Sequence, residues 1–228
     1  MDLIEFRRRF KEIKEMGWVP SQRRGPTGIG YTLEKLLGIS ENNIALPDLS
    51  DEMELKAHRI NSPSMITLFT YNRDAWKMNP LEAIRKYGTV DKRKNRLGMY
   101  FTLSQTPNSS GIFLHIEDGS ISVRHIDGSL IVEWDVEKLA EQFQNKIGKL
   151  IFVSALSEMR GKDEWFKFTS ARLLSGTSPD VIKEQIQAGH ILIDLRLHDK
   201  GTSARNHGTG FRTYEKYLPF IFETTEEI

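Results

Sequence analysis

Apolar side chains recur at helical intervals in several stretches of the chain, beginning close to the first residue. In the opening stretch the apolar positions are Leu3, Phe6, Phe10, Ile13 and Met16. Their spacing predicts an amphipathic helix over residues 2–16, which Gly17 would end. The same spacing, together with capping signals, predicts further helices over residues 31–38, 79–87 and 135–146, and one opened by Ser178-Pro179.

Alternation of apolar and polar residues predicts strands through most of the remaining chain. They fall at residues 44–48, 52–59, 64–71, 99–105, 111–117, 120–126, 129–134, 149–156, 165–173 and 190–198. Asp118-Gly119 and Asp127-Gly128 are strong hairpin signals, so the strands between residues 99 and 134 are expected to form one meander. A polar, basic loop follows at 199–212. This succession predicts an α+β fold, with a mixed central sheet flanked by helices.

The composition is that of an ordinary soluble globular protein. The 228 residues are 39% hydrophobic and 28% charged, and no apolar run approaches the roughly 20 residues that span a bilayer. The first helix is charged and lacks the apolar core of a signal peptide, so we expect a cytoplasmic protein with no membrane partner. Cysteine is absent, which excludes disulfides and thiolate metal sites.

Positive charge is concentrated in one part of the chain, although the formal net charge is only +1. Between residues 70 and 96 the basic residues are Arg73, Lys77, Arg85, Lys86, Lys92, Arg93, Lys94 and Arg96. A nuclease would show such a distribution if positive charge lined its DNA cleft and acidic groups lay elsewhere. A solvated, lysine-rich loop explains the run at 92–96 equally well.

Glu54-Leu55-Lys56 is the strongest candidate for chemistry. Alternate residues of a strand share a face, so Glu54 and Lys56 would project together while Leu55 points into the core. Residues 47–59 are expected to form two paired strands, the first of which brings Asp48 beside them. Two carboxylates and an ammonium can hold a divalent cation and orient a water for phosphodiester hydrolysis. A solvated strand face with an ion pair shows the same pattern.

A second candidate lies in the strand at 190–198. Asp194, Arg196 and His198 alternate with apolar residues and therefore share its polar face. Arginine can donate two hydrogen bonds to guanine and aspartate can accept one from cytosine, so this face could read a C·G pair. A surface ion pair is the alternative. The glycine-rich loop that follows, residues 206–212, could approach another surface closely.

Five blocks of sequence, in this order, resemble one enzyme family. They are GPTGIGYTLEKLLGISENN (25–43), PDLSDEMELKAHR (47–59), SMITLFTYN (64–72), IDLRLH (193–198) and HGTGFR (207–212). Together they are similar to the MvaI/BcnI family of type II restriction endonucleases, relatives of the mismatch-repair nickase MutH. The resemblance runs from about residue 17 to residue 217.

The resemblance implies a restriction-endonuclease-like fold and a monomeric nuclease of a restriction–modification system. One MutH-like domain over residues 1–228 would have a catalytic part at about 1–100 and a recognition part at about 140–217, with DNA bound in a cleft between them. The enzyme would nick the strands of duplex DNA one after the other at a CC-x-GG-like site. Its cofactor would be Mg²⁺, with Mn²⁺ as a substitute and Ca²⁺ supporting binding without cleavage. A cognate DNA methyltransferase is implied genetically.

Catalytic roles follow from the resemblance residue by residue. Asp48 and Glu54 would ligate the metal, with the backbone carbonyl of Leu55 as a third oxygen. Lys56 would orient the attacking water and stabilise developing charge. Glu34, on the helix after the basic glycine-rich loop, would add a supporting acidic group.

Side chains for DNA binding are implied as well, and they are Arg23, Arg24, His58, Asp194, Arg196, His207 and Arg212. Arg23 and Arg24 would meet phosphates. Asp194, Arg196 and Arg212 would read C·G pairs in the major groove. His207 would lie near the centre of the site. His58 shares the strand face of Glu54 and Lys56, which would bring it near the scissile phosphate.

One departure from the family concerns the five residues 49–53 between Asp48 and Glu54, since family members can have one fewer. Asp51 or Glu52 would then compete as metal ligands, or a bulge would absorb the extra residue. Two other functions stay open: a MutH-like nicking enzyme of mismatch repair, and a DNA-binding protein without catalysis.

Overall fold

The computed structural model describes residues 1–39, 47–50, 52–72, 74–92 and 94–228. Its helices there are α1 (Leu3–Glu15), α2 (Gly28–Leu36), α3 (Pro80–Tyr87), α4 (Val136–Ile147), α5 (Pro179–Gln187) and α6 (Leu218–Ile221), with a 3-10 turn at Glu215–Tyr217. Its strands are β1 (Val19–Pro20), β2 (Glu54–Arg59), β3 (Ile66–Thr70), β4 (Thr89–Asp91), β5 (Arg96–Leu103), β6 (Ile112–Ile116), β7 (Ser120–His125), β8 (Leu130–Asp135), β9 (Lys149–Arg160), β10 (Asp163–Ser175), β11 (Ile191–Asp199), β12 (Ala204–Asn206), β13 (Gly210–Thr213) and β14 (Thr224–Glu227). The predicted α+β class is confirmed.

The first of two compact units comprises residues 1–64, 144–176 and 222–228. Its sheet has the strand order β1-β10-β9-β2, and β14 pairs with β10. Only β2 is parallel to its neighbour, β9, whereas the other pairs are antiparallel. Phe6 and Phe10 of α1 and Leu33 of α2 form one apolar cluster with Leu55 and Val153 of this sheet. This packing fixes the orientation of β2, the strand that carries Glu54 and Lys56.

Local signals account for both helices of the first unit. The Asp2 side chain caps α1 by accepting a hydrogen bond from the backbone of Glu5 at 2.8 Å. Gly17, with φ +68°, follows the end of the helix as predicted. Helix α2 begins at Gly28, earlier than predicted, directly after a tight turn. A Cβ on Gly28 would lie 2.3 Å from the carbonyl oxygen of Arg23, so the turn packs closely against the helix start.

The second unit comprises residues 65–143 and 177–221. One antiparallel sheet has the order β3-β13-β11-β5-β4, with β12 paired to β11. A separate sheet contains β6, β7 and β8. The large sheet is held by aromatic packing, in which Phe69 stacks on Phe211 at 4.6 Å and Trp134 meets Phe211 edge-on at 5.5 Å between ring centroids.

Two predictions for the second unit are wrong. The strand predicted at 99–105 does not open a four-stranded meander, because β5 pairs with β11 and β4 instead. The stretch 199–212 is not wholly a loop, since it contains β12 and the start of β13. In both cases alternation and turn signals identify local structure, whereas the partner of a strand depends on contacts that are distant in sequence.

The segment before β2 also differs from expectation. Of the strand predicted at 44–48, residues 44–46 lie outside the described residues, and Pro47 and Asp48 belong to no strand. Of the two strands expected to pair over residues 47–59, the second is present as β2, whereas in place of the first a turn is closed by a bridge between Leu49 and Met53. Ser50 adopts φ +51° in this turn.

The division into a catalytic part at about 1–100 and a recognition part at about 140–217 stays a prediction. No helix among the described residues is long and apolar enough to cross a membrane.

Candidate functional site

Strand β2 presents Glu54 and Lys56 on one face, as the alternation predicts. Lys56 Nζ lies 2.8 Å from Glu54 Oε1. Leu55 between them is buried in the core of the first unit. Glu54 is itself almost fully buried. A buried carboxylate in this position needs a cationic partner or a metal to offset the loss of hydration.

Asp48 reaches the same strand from the turn that precedes it. Its Oδ2 accepts a hydrogen bond from the backbone N–H of Leu55 at 3.1 Å. Burial raises the pKa of the Asp48 carboxyl, and repulsion from the Glu54 carboxylate raises it further. The hydrogen bond from Leu55 lowers this pKa, and so do the charges of Lys56 and Lys146. The two carboxylates are therefore electrostatically coupled, and a bound cation would relieve their repulsion.

Strand β2 pairs with β9 in continuous register from Glu54 to Arg59, without the bulge considered for the extra residue. Glu52, one of the two competing ligands, is exposed and lies 3.5 Å from the exposed Lys149. It is thus directed to the surface, whereas Asp48 contacts the backbone of Leu55. The other competitor, Asp51, lies outside the described residues.

Lys146 is a second cationic neighbour of Glu54, and the sequence analysis did not identify it. It lies in the last turn of α4, and its Nζ is 2.8 Å from Glu54 Oε2. Each carboxylate oxygen of Glu54 thus faces an ammonium group. A lysine in the last turn of a helix is ordinarily read as a partner of the helix dipole. The one available signal was its position directly before β9, the parallel neighbour of β2.

The residues of this site fit a hard divalent cation. Asp48, Glu54 and the carbonyl of Leu55 offer only oxygen donors, the ligands that Mg²⁺ prefers. Within the part of the chain that the structure describes, no three carboxylate or imidazole side chains form a metal-binding group. Glu34 was expected as a supporting acidic group rather than as a metal ligand. It lies half-buried on α2, and its supporting role stays a prediction.

His58 lies on the same strand and is buried. Its Nε2 is 3.2 Å from the carbonyl oxygen of Ser64 and 3.1 Å from the Ser64 hydroxyl. The imidazole is thus held by the segment that follows β2. A role near the scissile phosphate stays a prediction.

A basic loop, residues 21–27, is fixed to the far end of β2. Arg59 forms a bidentate ion pair with Glu164 at 2.6 and 2.8 Å and donates to the carbonyl of Pro26 at 3.1 Å. The loop carries the two arginines expected to meet phosphates. The guanidinium of Arg23 stacks 3.8 Å above the Tyr31 ring, and Arg24 is exposed.

The polar face of β11 belongs to the second unit. Asp194 is buried, with Oδ2 accepting from Arg212 at 2.6 Å and Oδ1 accepting from the Thr102 hydroxyl at 2.7 Å. Asp194 therefore pairs with Arg212 across strands, not with Arg196. The Nε of Arg196 has no hydrogen-bond partner among the described residues. A Cβ on Gly210 would lie 3.1 Å from the Arg196 guanidinium, so Gly210 leaves room for that side chain.

His207 follows β12 and is exposed. Its ring stacks on His198 with the centroids 5.4 Å apart, and its backbone donates to the carbonyl of Arg196 at 2.9 Å. Desolvation lowers the pKa of both histidines, and neighbouring cations, Arg96 among them, lower it further. Both rings are therefore favoured in the neutral form, in which one nitrogen donates and the other accepts.

Comparison with protein-family models matches residues 7–222 to the MvaI/BcnI restriction endonuclease family. The chain is also similar to the solved structure of a restriction endonuclease MvaI–cognate DNA substrate complex. That match has a TM-score of 0.81 and 24% identity, and covers 100% of this chain and 99% of the other. Restriction endonuclease MvaI in the absence of DNA gives a TM-score of 0.58 with 24% identity, over 100% of this chain and 98% of the other. Among curated protein sequences there is no significant match. At this identity the structural likeness shows a shared fold.

Proposed function

Because this chain belongs to the MvaI/BcnI restriction endonuclease family, and is thus a DNA-binding type II site-specific deoxyribonuclease, we propose that it cuts duplex DNA at a short CC-x-GG-like site with Mg²⁺ as its cofactor. The observation that carries the proposal is the pairing of Glu54 with Lys56 on β2, beside an Asp48 carboxylate held by the backbone of Leu55. Carboxylates and a lysine at one strand edge are the groups that metal-assisted phosphodiester hydrolysis requires.

The metal ligands in this proposal are Asp48, Glu54 and the carbonyl of Leu55. When bound there, Mg²⁺ supplies positive charge that stabilises the scissile phosphate in the transition state and lowers the pKa of a water. The protein contributes a preformed set of oxygens, since Asp48 is already fixed by a hydrogen bond and Glu54 by two ion pairs.

Lys56 is the residue proposed to position the attacking water. Its ammonium carries three N–H donors and is anchored 2.8 Å from Glu54 Oε1, which leaves donors for a water or a phosphate oxygen. The positive charge of Lys56 would also stabilise the negative charge that develops on the phosphate oxygens. Lys146 would hold the orientation of Glu54 from the opposite side.

The proposed DNA contacts divide into two groups. Arg23 and Arg24, on the anchored loop, would neutralise phosphates and contribute affinity without sequence selectivity. Arg196 and Arg212, on the polar face of β11 and β13, would donate to guanine O6 and N7. Asp194 would accept from cytosine N4 with the lone pairs left over from its bonds to Thr102 and Arg212.

Strand-by-strand cutting by a monomer is the finer part of the proposal. It is tested by following supercoiled plasmid over time with Mg²⁺. Open-circular DNA that precedes linear product, at a rate first-order in protein, is expected. Reaction that stops at open-circular DNA would instead indicate a MutH-like nicking enzyme.

Glu54→Ala and Lys56→Ala test the catalytic assignment. Each variant should lose cleavage with Mg²⁺ but retain DNA binding in Ca²⁺. Glu52→Ala is the matched control, because this exposed glutamate precedes β2 and its carboxylate lies 3.5 Å from the exposed Lys149. Mg²⁺-dependent cutting by both variants at the wild-type rate would overturn the assignment.

A further inference from the structure

Three side chains of the second unit form a closed ring of hydrogen bonds that no role assigned above uses. Arg96 and Tyr100 come from β5, and His198 comes from the neighbouring β11. Arg96 Nη1 lies 3.3 Å from His198 Nε2, and Arg96 Nη2 donates to the Tyr100 hydroxyl at 2.7 Å. The Tyr100 hydroxyl is 3.0 Å from His198 Nδ1. Every member therefore contacts the other two.

The direction of each hydrogen bond follows from what the groups can do. A guanidinium only donates, so His198 Nε2 must accept from Arg96 and carries no hydrogen. The neutral imidazole then has its hydrogen on Nδ1 and donates it to the Tyr100 oxygen. That oxygen thus accepts two hydrogen bonds, from His198 and from Arg96. The lowered pKa of His198, caused first by burial and then by Arg96, agrees with a neutral ring.

This arrangement makes the Tyr100 hydroxyl a donor toward any ligand. Its lone pairs are taken inside the ring of three residues, and its own hydrogen has to point out of it. Tyr100 is 39% exposed, whereas His198 is only 8% exposed. The buried His198 and the half-buried Arg96 therefore hold the hydroxyl from one side, while its donor side stays accessible.

The position of Tyr100 in the sheet connects it to base reading. In the register of β5 and β11, Tyr100 lies opposite Arg196, and Thr102 lies opposite Asp194. Cross-strand neighbours share a face, so Tyr100 lies on the face that carries Arg196 and Asp194. This argument rests on the proposed function, in which that face meets the major groove.

We propose that Tyr100 is a specificity-determining residue whose hydroxyl donates a hydrogen bond to an acceptor atom on a base edge of the DNA site, with Arg96 and His198 as its positioning residues. The acceptors that the major groove offers are guanine O6 and N7, adenine N7 and thymine O4. An amino group, such as cytosine N4, would face a hydroxyl whose lone pairs are occupied. Tyr100 would therefore select against cytosine more strongly than against any other base. A phosphate oxygen is also an acceptor, but the adjacent Arg196 favours a base edge.

The test compares wild type with Tyr100→Phe, which removes one oxygen from a partly exposed side chain. After the wild-type site is mapped, kcat/KM is measured on duplexes that differ at single base pairs of the site. The variant is expected to lose discrimination at one base pair by about tenfold, the effect of one hydrogen bond. The purine at that base pair is then replaced by its 7-deaza analogue or by an analogue without the O6 acceptor. At least one of these replacements should lower kcat/KM of wild type and leave kcat/KM of the variant unchanged.

His198→Asn and His198→Leu test the positioning role at the same base pair. Asparagine can place an N–H donor where Nδ1 lies and should retain most of the discrimination, whereas leucine should lose it. Equal loss in both variants would overturn the positioning role, because it would reflect packing alone.

The outcomes separate this inference from the function on which it rests. Equal discrimination by wild type and Tyr100→Phe would overturn the inference alone. A uniform loss of cleavage by Tyr100→Phe on every duplex would assign the contact to a phosphate and overturn the base-edge assignment. Failure of the wild-type protein to cut any duplex would overturn the proposed function and this inference with it.

Discussion

Lys146 Nζ lies 2.8 Å from Glu54 Oε2, on the opposite side of the carboxylate from Lys56. A helix and a strand that are far apart in sequence thus supply one ammonium group to each oxygen of the same buried glutamate. The two lysines offset the loss of hydration that the buried Glu54 carboxylate suffers. It also makes Lys146 part of the site, although no sequence motif includes it.

Lys146→Ala should reduce cleavage by roughly ten- to a hundredfold and lower the free energy of unfolding by about 1–3 kcal/mol, because the buried Glu54 loses one of its two ion-pair partners. Single-turnover cleavage with Mg²⁺ and denaturant unfolding would measure the two effects. Lys149→Ala is the matched control, since its ammonium lies near the exposed Glu52. Equal behaviour of the two variants would contradict a role for Lys146.

Asp48→Asn should abolish cleavage and, at neutral pH without metal, stabilise the fold. The pKa of Asp48 is raised above its ordinary 3.8, so the folded state keeps this proton at a pH where the unfolded state has lost it. Stability from this group therefore falls as pH rises from the ordinary pKa to the raised one, and stays lower above it. Asparagine removes the charge but still accepts from the Leu55 N–H.

The measurement for Asp48→Asn is thermal unfolding as a function of pH, with and without Ca²⁺. The gain of the variant over wild type should disappear below about pH 4, where both states of wild type bind the proton. Ca²⁺ should stabilise wild type more than the variant, because only wild type has both carboxylates. A variant that is less stable than wild type at pH 7 without metal would contradict the proposed coupling of Asp48 and Glu54.

Asp194→Asn should weaken binding to the specific site by about tenfold in Ca²⁺, since Arg212 loses a charge-assisted hydrogen bond and its fixed orientation. Binding to unrelated DNA should not weaken, because a negative charge is removed. Asp199→Asn serves as the control at the end of the same strand, where the aspartate pairs with the surface residue Arg85 at 3.0 Å. Equal loss on specific and unrelated DNA would argue against base reading by Arg212.

Gly210→Ala should lower specific binding without unfolding the protein. The added Cβ would lie 3.1 Å from a guanidinium nitrogen of Arg196, which has to shift by a few tenths of an ångström. Direct readout depends on that placement, so a loss of roughly three- to tenfold is expected. Gly119→Ala is the control, because a Cβ there meets nothing within 4 Å. Titration of labelled duplex in Ca²⁺ gives both dissociation constants.

Much of this site was predictable because its signals are local. Alternation along a strand puts Glu54 and Lys56 on one face and Asp194 with Arg196 on another, whatever the rest of the fold does. Helix starts and ends follow from capping residues such as Asp2 and Ser178, which act within one turn. The order of the sequence blocks indicated the family, which the match over residues 7–222 then established.

Pairing across the chain was not predictable in the same way. The sequence alone determined which residues share a face of a strand, the polar character of β11, and the Glu54–Lys56 pair. Only the tertiary structure decided that Asp48 reaches Leu55 from a turn, that Lys146 meets Glu54, that Asp194 pairs with Arg212, and that Tyr100 lies opposite Arg196. The physical reason is that side-chain direction is set by local backbone geometry, whereas strand partners and register are set by burial of apolar faces that are remote in sequence.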